Sequence, residues 1–292
     1  MGLGAKLNIV LVSAFAVGLA LFYFLSRPFM EKAAEDEVLT RARIMMEGAA
    51  GIRKYTAEEI APLLAAQMQK HFHPQTVAAY AATKNFEVLR QEFPDYVYRE
   101  AALNPTNPRS CAVDWETDII NDFRAFPAKR DLVVHRDTPQ GRVMHLSRPI
   151  RAVEKCMPCH RRWQSAPSSM VAAYGKDNGF GWQVGEVIGA QIVSVPMSVP
   201  LQRAHDTRLF FMGLLAAVFV ALTIVLNVLL RVVVLNPIER MSRVAGDVSM
   251  GKPDVPEYQR PGSDEIASLS ASFNRMRRTV EQAMKMLGET LK

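Results

Sequence analysis

Cysteine is scarce in this chain, with three residues among 292. Three thiols cannot build a disulfide framework, so a small, heavily stapled fold is excluded. No stretch concentrates lysine and arginine either. The formal charge of +6 is spread along the chain among interleaved acids, which argues against a nucleic-acid reader. Charge is missing altogether from two long runs, residues 7–26 and 209–230. About 20 apolar residues cross a bilayer as a helix, so both runs read as membrane spans, over 7–26 and 209–231. The first run ends in Leu25-Ser26-Arg27-Pro28, with no Ala-x-Ala-like site nearby. It is therefore expected to remain as an anchor rather than to be removed as a signal peptide.

Two spans put both termini on one side of the membrane. Arg231, Arg240 and Arg243 follow the second span, so residues 1–6 and the tail 232–292 are expected in the cytoplasm. Residues 27–208, on the other side, are long enough for one well-cored domain, whereas the tail is too short for an ordinary enzyme domain. Inside the larger region, Val38, Ala42, Met45, Ala49 and Ile52 recur at helical spacing and predict a stalk helix over 31–55. Thr56 with Glu59 reads as a capping box opening a second helix that runs to about Lys70. The prolines of Asn104-Pro105-Thr106-Asn107-Pro108 predict an irregular segment, and residues 114–123 a short helix. Strands are expected at 131–135 and 143–146, joined by a turn at Pro139-Gln140-Gly141, and again at 187–195. Helices framing a small antiparallel sheet make an α+β domain.

Two of the three cysteines fall in Cys156-Met157-Pro158-Cys159-His160, the C-x-x-C-H pattern of c-type haem attachment. The spacing follows the chemistry: two thiols add across the two porphyrin vinyl groups, and the adjacent imidazole is held at the iron. No βαβ pattern surrounds the motif, as a thioredoxin-like pair would require, and no second cysteine pair completes a zinc site. The expected cofactor is one covalent haem c on Cys156 and Cys159, with His160 as an axial iron ligand. Such haem is attached outside the cytoplasm, which places residues 27–208 in the periplasm and the chain in a bacterial inner membrane. Arg53 and Arg109 are candidate charge-assisted partners of the propionates. Trp115-Glu116 and Trp182 are expected in the pocket wall. The other axial position could fall to Met45, Met46, Cys111, His71, His73, His135 or His145.

Around the motif lie Arg53-Lys54-Tyr55-Thr56, the segment from Tyr98 to Arg109, Trp115-Glu116, Gly179-Phe180-Gly181-Trp182 and the run from Gly189 to Pro196. Together they resemble a bacterial family of membrane-anchored c-haem sensor domains with a PAS-like core. That resemblance implies a PAS-like antiparallel sheet, one haem and a role in redox or small-gas sensing. It also implies a sulfur ligand from the N-terminal helix, which here points to Met45 or Met46; Met46 is taken first, and Cys111 is an alternative outside that helix.

In the tail, Pro237 is followed by Ile238, Met241, Ala245 and Val248. After a Gly251-to-Gly262 connector the repeat resumes at Ile266, Leu269, Phe273, Met276, Val280, Ala283 and Leu287. This is a heptad seam, which needs partner helices. With Asp264-Glu265 and Phe273-Asn274-x-Met276, the tail resembles a HAMP module, which implies a parallel four-helix bundle in a homodimer. The expected function is a membrane-bound haem sensor signalling redox or small-gas (NO, CO, O2) state through that module. The alternative is a membrane-anchored c-type cytochrome for electron transfer. No distal acid–base group suggests an enzyme. No kinase or cyclase sequence is present either, so the output is expected from a separate cytoplasmic protein, unless the chain is a fragment of a longer transducer.

Overall fold

A computed structural model describes residues 3–139, 141–250, 252 and 255–290. The chain divides into two units, one of residues 25–208 and the other of residues 1–24 with 209–292. Two of its helices are long and apolar enough to cross a membrane, with mean hydropathy of 2.4 and 2.8 over their most apolar windows.

Helix α1 (Leu3–Tyr55) carries the stalk, and the chain continues through a π-turn (Thr56–Ile60) into α2 (Ala61–Leu63) and α3 (Ala65–Lys70). The expected restart at Thr56 does not occur. Tyr55 is helical, with φ −55° and ψ −46°, and the buried Thr56 hydroxyl donates to the Ile52 carbonyl at 2.8 Å instead of capping. A hydroxyl already bonded one turn back cannot serve the amides ahead of it. Then come α4 (Ala78–Glu92), β1 (Val97–Ala102), α5 (Asp114–Ala125), β2 (Leu132–Thr138) and β3 (Gly141–Arg151). The short helices α6 (Met157–His160) and α7 (Ser168–Tyr174) precede β4 (Val187–Pro196). The expected hairpin and third strand are present, although Gln140 of the expected turn lies outside the described residues.

The sheet order is β1-β4-β3-β2, with every neighbouring pair antiparallel. One face presents Tyr98, Met144, Leu146, Val193 and Val195 to Val38, Ala42, Met46 and Ala49 of α1 and to Ala82 and Phe86 of α4. The inward residue of the stalk is thus Met46, fully buried, with Met45 beside it and only partly covered. The other face presents Ala101, Ala190 and Ile192 to Ile119, Ile120 and Phe123 of α5. As the inner strand covered on both faces, β4 reads as a nearly unbroken apolar run.

β1 escapes prediction because its centre is Arg99-Glu100. The two charges point to opposite faces, and each is paired there: Arg99 with Glu116 of α5 at 2.8 Å, and Glu100 with Arg53 of α1. On the α5 face, His145 lies against Trp115, with ring centroids 4.5 Å apart, and its Nδ1 is 2.8 Å from Ser194 Oγ. Burial and the nearby Arg136 push its pKa down to about 4. The unfolded imidazole titrates near 6.5. Between those values the unfolded chain binds more protons than the folded one, so stability is expected to fall as pH drops from about 6.5 to about 4. Melting temperatures of the wild type and of His145→Gln over this range test it. An equally steep acid loss in the variant would assign the effect elsewhere.

In the second unit, α8 (Ser198–Leu229) enters from the first unit and is followed by a π-turn (Leu230–Leu235) and α9 (Asn236–Ser249), and later by α10 (Glu265–Thr290). Asn8 and Asn227 exchange two side-chain hydrogen bonds at 2.8 Å, and Phe15 stacks on Phe219 with centroids 3.7 Å apart. Paired amides of this kind are a characteristic adhesive between apolar helices. The connector ahead of α10 lies along it, its Tyr258 carbonyl accepting from Ser270 Oγ at 2.6 Å and Asn274 Nδ2 at 2.9 Å. On the seam, Leu269, Met276 and Val280 are left exposed.

Candidate functional site

In the sheet, β1 and β3 end where β4 begins, and because β4 lies between them the segments that follow and precede these ends converge. From β3 the chain enters Cys156–His160. From β1 it enters Asn104–Pro108, and leading into β4 are residues 175–186. Ala152, Met157 and Ile188 form a small core here, with Ile150, Cys156 and Trp182 packed on it. Met157 between the two cysteines is thus an anchor, 5% exposed, and Cys156 packs beside it on the same core. Cys156 and Cys159 are both free and half-buried, and burial raises the Cys159 pKa.

His160 is held from three sides. Its Nδ1 lies 2.7 Å from the Gly179 carbonyl oxygen, its ring stacks on Trp182 at 3.9 Å and 8°, and Thr106 Oγ1 is 3.5 Å from the same nitrogen. A carbonyl only accepts, so Nδ1 carries the proton and Nε2 presents its lone pair. Burial lowers the imidazole pKa, and the Gly179 contact opposes that shift. A neutral ring with an oriented free Nε2 is the state in which histidine binds a metal.

The Asn-Pro-Thr-Asn-Pro segment and the glycine-rich loop, separate in sequence, support this ring together. Asn104 Oδ1 accepts from the Gly179 amide at 2.9 Å, and Asn104 Nδ2 donates to the Phe180 carbonyl at 3.3 Å. The Trp182 amide donates to the His160 carbonyl at 3.3 Å. Gly179 has φ +81°, and a Cβ there would lie 2.0 Å from Thr106 Oγ1. Gly175 has the same φ but open space around it. Gly175→Ala is therefore expected to cost only backbone strain, about 1 kcal/mol. Gly179→Ala should cost about 2 kcal/mol more, as the contact forces the loop away from Thr106. Equal melting temperatures for the two variants would contradict the close-approach argument.

The other expected site residues are dispersed. Trp115 and Glu116 sit against the α5 face of the sheet, packing on His145 and pairing with Arg99, rather than beside His160. Arg53 is engaged with Glu100, whose other carboxylate oxygen accepts from Tyr98 Oη at 2.6 Å. Arg109 is exposed, and its side chain makes no ion pair among the described residues. Cys111 is exposed beyond the end of β1, its Sγ 3.9 Å from the Ala112 carbonyl. Met46 lies in the core between α1 and the sheet. His71 and His73, with centroids 5.4 Å apart, reach α7 through the Phe72 amide, which donates to Ser169 Oγ at 2.6 Å. Sequence reasoning missed Asn104, Thr106 and Gly179 as the support of His160; the only signal was the density of proline and glycine in both loops.

The donor set fits a c-type haem: two free thiols on one helical turn, then a neutral imidazole whose Nε2 has no hydrogen-bond partner among the described residues. A four-stranded antiparallel sheet with helices on both faces and a Cys-x-x-Cys-His turn at one end defines an α+β domain with a candidate cofactor site. Residues 31–196 match the Tll0287-like family, and the chain belongs to it. Residues 229–282 match the HAMP domain. Among solved structures, the chain is similar to that of the cyanobacterial heme-protein Tll0287. The two share 18% identity over 55% of this chain and 95% of that one, with a TM-score of 0.45. No curated protein matches the chain.

Proposed function

We propose that this chain is a two-span sensor of the bacterial inner membrane that carries one c-type haem outside the cytoplasm and signals through its HAMP module. The observation that carries the reading is the His160 ring, fixed in one tautomer beside two free thiols. Cys156 and Cys159 would hold the group covalently, and His160 Nε2 would ligate its iron. When bound, the haem supplies a one-electron redox change and an iron site for NO, CO or O2. Met46 is the proposed second iron ligand on the resemblance alone, since its side chain packs in the core between α1 and the sheet and would have to leave it to reach the iron; Met45 is its neighbour, and Cys111 is exposed. A weak far-red sulfur-to-iron band should be lost in Met46→Ala and kept in Met45→Ala. A band that survives both substitutions excludes the stalk thioethers. Arg109 is the proposed propionate partner, because the Arg53 guanidinium is occupied by Glu100.

The chain supplies the coupling. Met46 shares its core with Val38 and Ala42 on the same helix, with Met197 at the exit from β4, and with Leu201 at the start of α8. The two helices that leave the domain towards the apolar spans thus meet in one packed cluster. Close-packed cores shift between discrete arrangements rather than deforming continuously, so a movement of α1 against the sheet is passed to the start of α8. The exposed Leu269, Met276 and Val280 are the proposed dimer seam, and a separate cytoplasmic protein the proposed output.

Full-length protein carrying Leu269→Cys in a Cys111→Ser background tests this reading. Crosslinking in membranes should differ between the oxidised, reduced and carbon monoxide-treated states. Identical crosslinking in all three, with fast electron exchange, would instead favour a membrane-anchored electron carrier.

A further inference from the structure

The loop from α5 to β2 and the last residues of β3 form an open cleft of about 580 Å³. This is within the range of small-molecule sites, roughly 300–1,000 Å³. Four of its lining side chains are cationic, Lys129, Arg130, Arg148 and Arg151, against a single carboxylate, Asp131. The cations are positioned before any ligand arrives. Arg148 Nε donates to Asp131 Oδ1 at 2.9 Å, and its Nη2 to Glu47 Oε1 of α1 at 3.0 Å. Arg151 Nη2 donates to the Pro127 carbonyl at 2.6 Å, and Lys129 Nζ to Asp122 Oδ2 at 2.6 Å. Arg130 is exposed and makes no ion pair among the described residues. A guanidinium offers five N–H donors in a fixed fork, so most donors of the three arginines have no acceptor among the described residues. Such forks match the paired oxygens of carboxylates and phosphates.

We propose that this cleft binds a small multivalent oxyanion, a di- or tricarboxylate or a phosphate, on Arg130, Arg148 and Arg151. The ligand competes with Glu47 for Arg148, and that ion pair ties the stalk helix to the sheet. Occupancy therefore loosens α1 from β3 and gives the domain a second input independent of Cys156, Cys159 and His160. The coupling to signalling rests on the sensor reading; the binding does not.

Titration calorimetry on the full-length protein in detergent, at fixed ionic strength, tests the site with citrate, inorganic phosphate and acetate. Saturable binding of citrate or phosphate, without acetate, is expected. Citrate alone identifies a carboxylate ligand, and phosphate alone a phosphate. Arg130→Gln with Arg151→Gln should weaken binding at least tenfold. Glu47→Gln removes the competitor and should tighten it several-fold, and because that side chain is 67% exposed the fold should tolerate the change. Equal weak heats from all three anions, or an unchanged affinity in the double arginine variant with an unchanged melting temperature, would overturn the proposal. Citrate binding in a preparation that carries no covalent haem would keep this site and refute the haem reading instead.

Discussion

Replacing Cys156 and Cys159 together by alanine is expected to abolish haem staining of the chain after denaturing electrophoresis while leaving the domain folded. The two halves of that expectation have separate grounds. Both thiols are half-buried on a turn whose buried anchor is Met157, against Ala152 and Ile188. Losing a sulfur from such a position removes little buried surface, so the stability change should stay near or below 1 kcal/mol. Attachment has no other anchor, because the third cysteine, Cys111, lies outside the Cys-x-x-Cys-His turn. Either single substitution should leave one thioether and a weaker stain. His160→Ala should keep the stain, because the two thioethers would remain, but change the visible spectrum, because the iron would lose its histidine ligand. Staining that persists in the double variant would show that these cysteines do not carry the group.

The largest expected loss of stability is at Arg53. Arg53→Ala leaves the Glu100 carboxylate, 6% exposed, with only the Tyr98 hydroxyl as a partner among the described residues. Stranding a buried charge costs about 3–5 kcal/mol. For a domain of this size, that corresponds to a fall of roughly 6–20 °C in melting temperature. Glu100→Gln should cost less, because a neutral amide tolerates the loss of the guanidinium. Arg53→Met with Glu100→Leu should recover most of the loss, since an apolar pair of similar volume replaces the ion pair without an orphaned charge. Circular dichroism melting of the four proteins distinguishes these cases. A double variant no more stable than Arg53→Ala would show that the pair is held for its geometry, at the junction of α1 with the sheet, rather than for its charge.

The same pair explains why β1 could not be read from the sequence. A strand is recognised by alternation, and Arg99-Glu100 at its centre breaks the apolar pattern. Only the arrival of Glu116 from α5 and Arg53 from α1 makes those charges burial-competent, and both come from distant parts of the chain. The hairpin of β2 and β3 and the apolar β4 carried their own local signals and were legible. The restart expected at Thr56 failed for the converse reason. The capping-box residues were present, but the hydroxyl was already bonded to Ile52, and a π-turn let the helix continue.

At the candidate site, adjacency in the chain did much of the work. Cys156, Cys159 and His160 lie on one turn, so their grouping is local and shows in spacing alone. So could the two apolar runs and the heptads of the tail, because hydropathy and periodicity belong to contiguous residues. Which nitrogen of His160 carries the proton was decided by the fold, through a carbonyl at Gly179 held by Asn104, and that in turn depends on β4 lying between β1 and β3. Also decided there were the inward turn of Met46 rather than Met45 and the gathering of Arg130, Arg148 and Arg151 around one cleft. Each of these depends on strand order and helix rotation, which bring together residues tens of positions apart and leave no mark in any local stretch of sequence.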